Sequence, residues 1–168
     1  PPNPISPFAI KLNNFWHIDS ILTLGQVFTN QLENLVYDSY AIVDHIHIYR
    51  NLPCSNPPLS SWQWHYDDAA YGQLKLMIYL SDVNTDNGPF EYVNPPKYFN
   101  SSRGSAYGQA YPGSRIPQHI IHGWEDQGSK LSQVVGKRGT YILFNQNCVH
   151  RATTPTQKPY RDVIIYNF

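Results

Sequence analysis

The 168-residue chain predicts a mainly β fold, built of short strands in layered sheets with one helix early in the chain. Three observations carry that expectation. Prolines (14) and glycines (10) are frequent while charged residues make up only 14%, which points to many turns and short strands. Residues 73–80, Gln-Leu-Lys-Leu-Met-Ile-Tyr-Leu, alternate cleanly between an aliphatic face and a mixed face. One stretch alone, from Asp19 to about Tyr37, shows an apolar helical stripe.

In order, residues 1–9 hold four prolines and are expected to be extended or irregular. A helix can then begin at Asp19 or Ser20, either of which can cap it, and place Ile21, Leu22, Leu24, Val27, Phe28, Leu32 and Leu35 toward a sheet. Residues 41–50 alternate as a strand, and the proline-rich 52–59 is a loop. That loop delivers the chain to 62–68, read as extended. Residues 73–80 form the clearest strand, 81–88 a turn, and 89–93 a short strand. Residues 94–132 show little periodicity and read as a long active-site or binding loop. Strands follow at 139–144, 149–152 and 160–168, separated by turns at 145–147 and 155–159. Such a series indicates a double-stranded β-helix, a jelly-roll or cupin-like barrel, with the early helix covering one sheet. We expect a single domain over 1–168, its core at about 40–168.

Composition removes several functions. Formal net charge is zero, from 12 basic and 12 acidic residues, so the chain has no electrostatic footprint for nucleic acid or an anionic membrane. Two cysteines, Cys54 and Cys148, make no disulfide framework. With no stretch of membrane-span length and no signal-peptide pattern, the expectation is a cytoplasmic protein.

The chemistry gathers at Trp64-His65-Tyr66-Asp67. On an extended segment His65 and Asp67 share a face, whereas Asp68 points away. An imidazole and a carboxylate side by side are two thirds of the 2-His-1-carboxylate set that holds non-haem iron and leaves coordination positions open. His150, on a late strand, can supply the second imidazole. Arg161 follows eleven residues later on the next strand, where a buried guanidinium fork would suit a carboxylate. His45 and His47 form another close pair without an acidic partner and read more simply as polar residues facing a cavity.

These residues, with residues 76–83, Asn87-Gly88-Pro89-Phe90, Gly139 and Phe144, resemble the Fe(II)/2-oxoglutarate dioxygenases, most of all the phytanoyl-CoA dioxygenase-like group. The resemblance covers roughly residues 40–168. It implies that His65, Asp67 and His150 bind Fe(II) and that Arg161 pairs with the remote carboxylate of 2-oxoglutarate. Met77, Tyr79 and His47 fall where the family lines the co-substrate pocket, and Lys75 shares their face further from the metal. O2 would be the second co-substrate and a small molecule the substrate, hydroxylated with release of succinate and CO2. In residues 94–132, Tyr98, Tyr107, Tyr111, His119, His122 and Trp124 are the substrate-side candidates. Asn94-Pro95-Pro96-Lys97 and Ala152 depart from the family pattern. Two other readings stay open: a metal cupin of another reaction type, and a non-catalytic carbohydrate-binding module using Trp62, Trp64 and Trp124.

Overall fold

A computed structural model describes residues 3–6 (backbone alone), 8–12, 15, 17–67, 69, 72–99, 114–156 and 160–168. Its strands are β1 (Asn3–Ser6), β2 (Ala9–Lys11), β3 (His45–Asn51), β4 (Leu74–Tyr79), β5 (Phe90–Val93), β6 (Leu131–Val134), β7 (Tyr141–Asn145), β8 (Val149–Ala152) and β9 (Arg161–Asn167). Six form one sheet in the order β1-β2-β3-β9-β4-β7, and three form another in the order β6-β5-β8. All pairings within them are antiparallel. Met77, Tyr79 and Val163 from the large sheet pack against Phe90 from the small one. The result is a cupin-like sandwich; among the described residues no ladder closes it into a barrel.

The helices are α1 (Asp19–Leu32) and α2 (Gln118–Asp126). Helix α1 covers the outer face of the large sheet, as its stripe predicts. Its first turn differs from expectation: Ile18 precedes it and no side chain caps it. The stripe is also narrower than predicted. Gly25, Thr29 and Leu32 are buried, with Ile21 and Phe28 half-buried, whereas Leu22, Leu24, Val27 and Leu35 face outward. The contact centres on Gly25 because the Tyr166 ring lies 3.0 Å from where a Cβ would stand. Glycine lets the helix settle on that ring, and the Tyr166 hydroxyl donates to the Ile21 carbonyl at 2.8 Å. A wider π turn (Glu33–Tyr37) ends the helical run, and Asp38 leaves it in the left-handed region at φ 48°.

Register arranges the inner face of the large sheet in rows. Asn51 lies beside Arg161, Tyr49 beside Val163 and Tyr79, His47 beside Ile165 and Met77, and Asn167 beside Lys75. Because strand side chains alternate, each row projects toward the small sheet. The opposite face of the same strands carries Ile46, Ile48, Leu76, Ile78, Ile164 and Tyr166 into an apolar core beneath α1.

Two parts of the chain depart from expectation. In the stretch 94–132, expected as one long loop, the described residues hold α2 and the start of β6, and residues 100–113 lie outside the described residues. Pro117 stands just before α2, where its missing N–H costs nothing, and Ile121 and Trp124 bury one face of the helix against Trp64, Tyr66 and Val93. Residues 62–67 do not form a ladder strand; a short helical turn (Ser60–Trp62) leads instead to an isolated bridge at His65. Among the described residues no helix is long and apolar enough to cross a membrane.

Candidate metal centre and its cavity

After the Ser60–Trp62 turn the chain runs extended, and its side chains still alternate. Trp64 and Tyr66 are buried in an apolar cluster with Val93, Ile121, Trp124 and Val149. His65 and Asp67 therefore emerge on the other side, into the space between the sheets. The backbones of His65 and His150 exchange two hydrogen bonds, N to O at 2.9 and 2.8 Å. Residues directly opposed in this way send their side chains to one face. The two imidazoles accordingly lie 4.2 Å apart between ring centres.

Each imidazole is oriented by its own chain. His65 Nδ1 lies 2.8 Å from the Gln63 carbonyl and His150 Nδ1 lies 2.8 Å from the Cys148 carbonyl. A carbonyl accepts, so Nδ1 carries the hydrogen and Nε2 presents its lone pair. His65 Nε2 is 3.6 Å from Asp67 Oδ1, and His150 Nε2 is 3.8 Å from Asp67 Oδ2. One ligand atom from each residue lies within 4.8 Å of the others. Among the described residues this is the one group of three His, Cys, Asp or Glu side chains so arranged. Asp68 lies outside the described residues.

Protonation favours cation binding. Burial, then the neighbouring His150, pushes the His65 imidazole down to about 3; burial also lowers His150. Both are neutral near pH 7, with lone pairs free. Burial alone would raise the Asp67 carboxyl, but the charge of His150 when protonated and the Lys75 ammonium outweigh it and hold it below the usual carboxylate value. Lys75 is nearer than expected: its Nζ donates to Asp67 Oδ2 at 2.7 Å. The segment bearing Asp67 is fixed in turn, with Asp67 N donating to the Gln146 carbonyl and the Asn147 side chain bonded to both backbone groups of Ala69.

The three residues line a cavity of about 450 Å3 between the sheets. Phe90 and Phe144 flank the His150 ring, and Met77, Val163 and Ile165 add apolar wall. Arg161 lines the cavity and is only 2% exposed. It does not reach the site from a strand adjacent to β8, as the spacing had led us to expect. The chain crosses from the small sheet to the large one between β8 and β9, so Arg161 approaches from the opposite layer. With the Asn51 amide turned so that its oxygen faces the guanidinium, Nε and Nη2 donate to it at 3.0 and 3.1 Å, and the Tyr79 hydroxyl contacts Arg161 as well. Its Nη1 is buried with no partner. Among the described residues no carboxylate pairs with Arg161.

The remaining candidates divide. Met77 and His47 line the cavity. His47 is pushed down to about 4 by burial and then by Lys11, and its Nδ1 has no partner. Tyr79 is fully buried behind the wall, its hydroxyl accepting from Phe90 N and donating to the Val134 carbonyl. His45 is exposed and takes no part in the centre. Trp124 belongs to the apolar cluster around Trp64, and Tyr98, His119 and His122 lie off the cavity. Tyr107 and Tyr111 lie outside the described residues. Asn51 and Tyr49 line the cavity without having been singled out from the sequence, the odd-numbered alternation of His47, Tyr49 and Asn51 being the available signal, and Trp62, named there only for sugar stacking, lines it too.

No sequence-family model matches the chain, and no curated protein sequence does. Solved structures do. HygX from Streptomyces hygroscopicus, with nickel, 2-oxoglutarate and hygromycin B bound, superposes with a TM-score of 0.64 at 15% identity, over 98% of this chain and 71% of that one. The likeness is one of fold. AviO1 from Streptomyces viridochromogenes Tue57 matches at 0.60 and 15% identity, over 99% of this chain and 71% of that one. SnoK, a non-heme alpha ketoglutarate dependent carbocyclase from nogalamycin biosynthesis, matches at 0.52 and 19% identity, over 74% of this chain and 48% of its own.

Proposed function

We propose that the protein is a non-haem Fe(II)- and 2-oxoglutarate-dependent oxygenase of the hydroxylase type, a single domain acting on a small molecule. The observation that carries this reading is the pairing of two features in one cavity: the His65–Asp67–His150 cluster, and a buried guanidinium with an unpartnered nitrogen and, among the described residues, no carboxylate paired with it. An uncompensated buried charge is costly, so Arg161 is built for an anion that arrives. A dicarboxylate keto acid meets both demands. The bound 2-oxoglutarate and metals in HygX support the reading, as does the sandwich itself, which we take to be a double-stranded β-helix. Within this class, the sequence pattern resembles the phytanoyl-CoA dioxygenase-like group, from which Asn94-Pro95-Pro96-Lys97 and Ala152 depart.

His65 Nε2, His150 Nε2 and an Asp67 oxygen would hold the iron from one side. When bound there, iron(II) with 2-oxoglutarate and O2 would supply the oxidising power, at the expense of the co-substrate, which would leave as succinate and CO2. The protein's part is placement. Lys75 pins one carboxylate oxygen of Asp67, the two backbone carbonyls fix both imidazoles, and Asn51 and Tyr79 aim Arg161. Phe90, Phe144, Met77 and Val163 keep the cavity wall apolar and limit water around the reacting groups. A carboxylate at position 67, rather than a small residue, favours hydroxylation over halogenation. The carbohydrate-module reading loses its platform, because Trp62, Trp64 and Trp124 are all buried.

Anaerobic titration with Fe(II) and then 2-oxoglutarate tests the proposal. A weak visible band at about 500 nm is expected as the keto acid chelates the metal. Arg161→Met should retain Fe(II) while 2-oxoglutarate affinity falls on the order of 100-fold, the loss of charge-assisted hydrogen bonds. His65→Ala should lose the metal. Unchanged 2-oxoglutarate affinity in the arginine variant overturns the reading.

A further inference from the structure

The Arg161 end of the cavity holds a second buried donor. Trp62 is 8% exposed, lines the same cavity, and its indole Nε1 has no partner. Register places it. Ala9 pairs with Asn51 and Asn51 pairs with Arg161, so these three residues form one row across β2, β3 and β9. Trp62 stacks on Phe8 at 4.9 Å in a cluster that includes Ala9, Ala152 of β8 packs against that cluster, and the Ser60–Trp62 turn lies against β8. It therefore bridges the large sheet at the Arg161 row to the strand that carries His150, and walls off that end.

The chemistry is restrictive. An indole N–H donates and cannot accept, and the same holds for a guanidinium Nη1. Ala152, two residues after His150 on β8 and lining the same cavity, has no polar atom to offer. Two donor-only nitrogens, buried at one end of one cavity and left without acceptors, call for a group with two acceptor oxygens. With a positive charge on one donor, that group is an oxyanion, and in the co-substrate of the proposed function it is a carboxylate.

We infer that Trp62 Nε1 and Arg161 Nη1 together receive the distal carboxylate of the keto-acid co-substrate. The inference rests on the proposed function and adds to it a residue specifying which keto acid is used. Trp62 then selects for a dicarboxylate over a monocarboxylate of equal length, and aligns the carboxylate plane so that its other end reaches the metal.

The test is binding to Co(II)-loaded protein by calorimetry, using 2-oxoglutarate and 2-oxovalerate, which ends in a methyl group instead of the distal carboxylate. Trp62→Phe keeps a ring against Phe8 and removes the N–H. It should weaken 2-oxoglutarate about tenfold, the worth of one hydrogen bond to a charged group, while 2-oxovalerate affinity and Co(II) affinity stay within about twofold. Equal losses for both keto acids would make Trp62 a packing residue and overturn the inference. No loss for either would overturn it too. If the phenylalanine variant fails to hold Co(II), Trp62→Tyr, which keeps a ring and displaces the donor, must show the same selective loss. A wild-type protein that binds the two keto acids equally would instead refute the proposed function itself.

Discussion

On its outer side β4 offers Leu76 and Ile78 to α1; on its inner side the same strand offers Lys75, Met77 and Tyr79 to the cavity and its surroundings. Strand β9 repeats the contrast, with Ile164 and Tyr166 outward and Arg161 and Val163 inward. The outer polar group is satisfied: the Tyr166 hydroxyl reaches the Ile21 carbonyl. The inner face leaves His47 Nδ1 and Arg161 Nη1 unpaired. Buried polar atoms in folded proteins are nearly always paired, so the unpaired ones mark the face that awaits a ligand.

Acid should expose the contrast most strongly. His47, His65 and His150 each titrate below the ordinary imidazole value when folded. The unfolded chain therefore takes up protons first, and the stability these groups lend is complete above about pH 6.5 and lost as pH falls toward 4. Thermal melts of the metal-free protein should shift down across that window; a flat profile would show that the inner imidazoles are not held neutral. Next in size is Leu76→Ala on the outer face, expected to cost about 2–5 kcal/mol in denaturant unfolding with Co(II) affinity unchanged. A fall in metal affinity there would mean that the two faces are not independent. The finest comparison pairs two tyrosines. Tyr166→Phe should cost about 1 kcal/mol of stability and leave 2-oxoglutarate binding alone. Tyr79→Phe unpairs Phe90 N and the Val134 carbonyl and frees Arg161, so about 1–3 kcal/mol and a roughly three- to tenfold loss of 2-oxoglutarate affinity are expected together.

What was legible in the sequence follows from short-range rules. Alternation alone puts His65 with Asp67, and Leu76 opposite Lys75 and Met77, and all three assignments hold in the structure. Long-range pairing was not legible. Nothing in the spacing of His150 and Arg161 reveals that the chain changes sheets between them. The Lys75–Asp67 contact depends on how the segment after Trp64 crosses the large sheet, and the Asn51–Arg161 contact on the register of β3 with β9. Helix α2 was hidden by its brevity and by Gly123 in its interior, which weakens helical propensity at a site where packing of Ile121 and Trp124 decides the outcome. The apolar stripe of α1 was read too broadly because Leu22, Leu24 and Val27 resemble core residues in composition and differ from them only in direction.

The reciprocal hydrogen bonds between His65 and His150 carry a consequence for how this site tolerates change. The two imidazoles meet because two backbones are in step, with no side-chain contact needed to choose the register. Moving either segment by one residue would turn its histidine to the opposite face, into the cluster of Trp64 and Tyr66. Substitutions near the site can be graded in their effect, but a single inserted or deleted residue between Trp64 and Asp67, or between Gln146 and His150, acts as an on–off event. The centre is thus robust to drift in chemistry and brittle to drift in length.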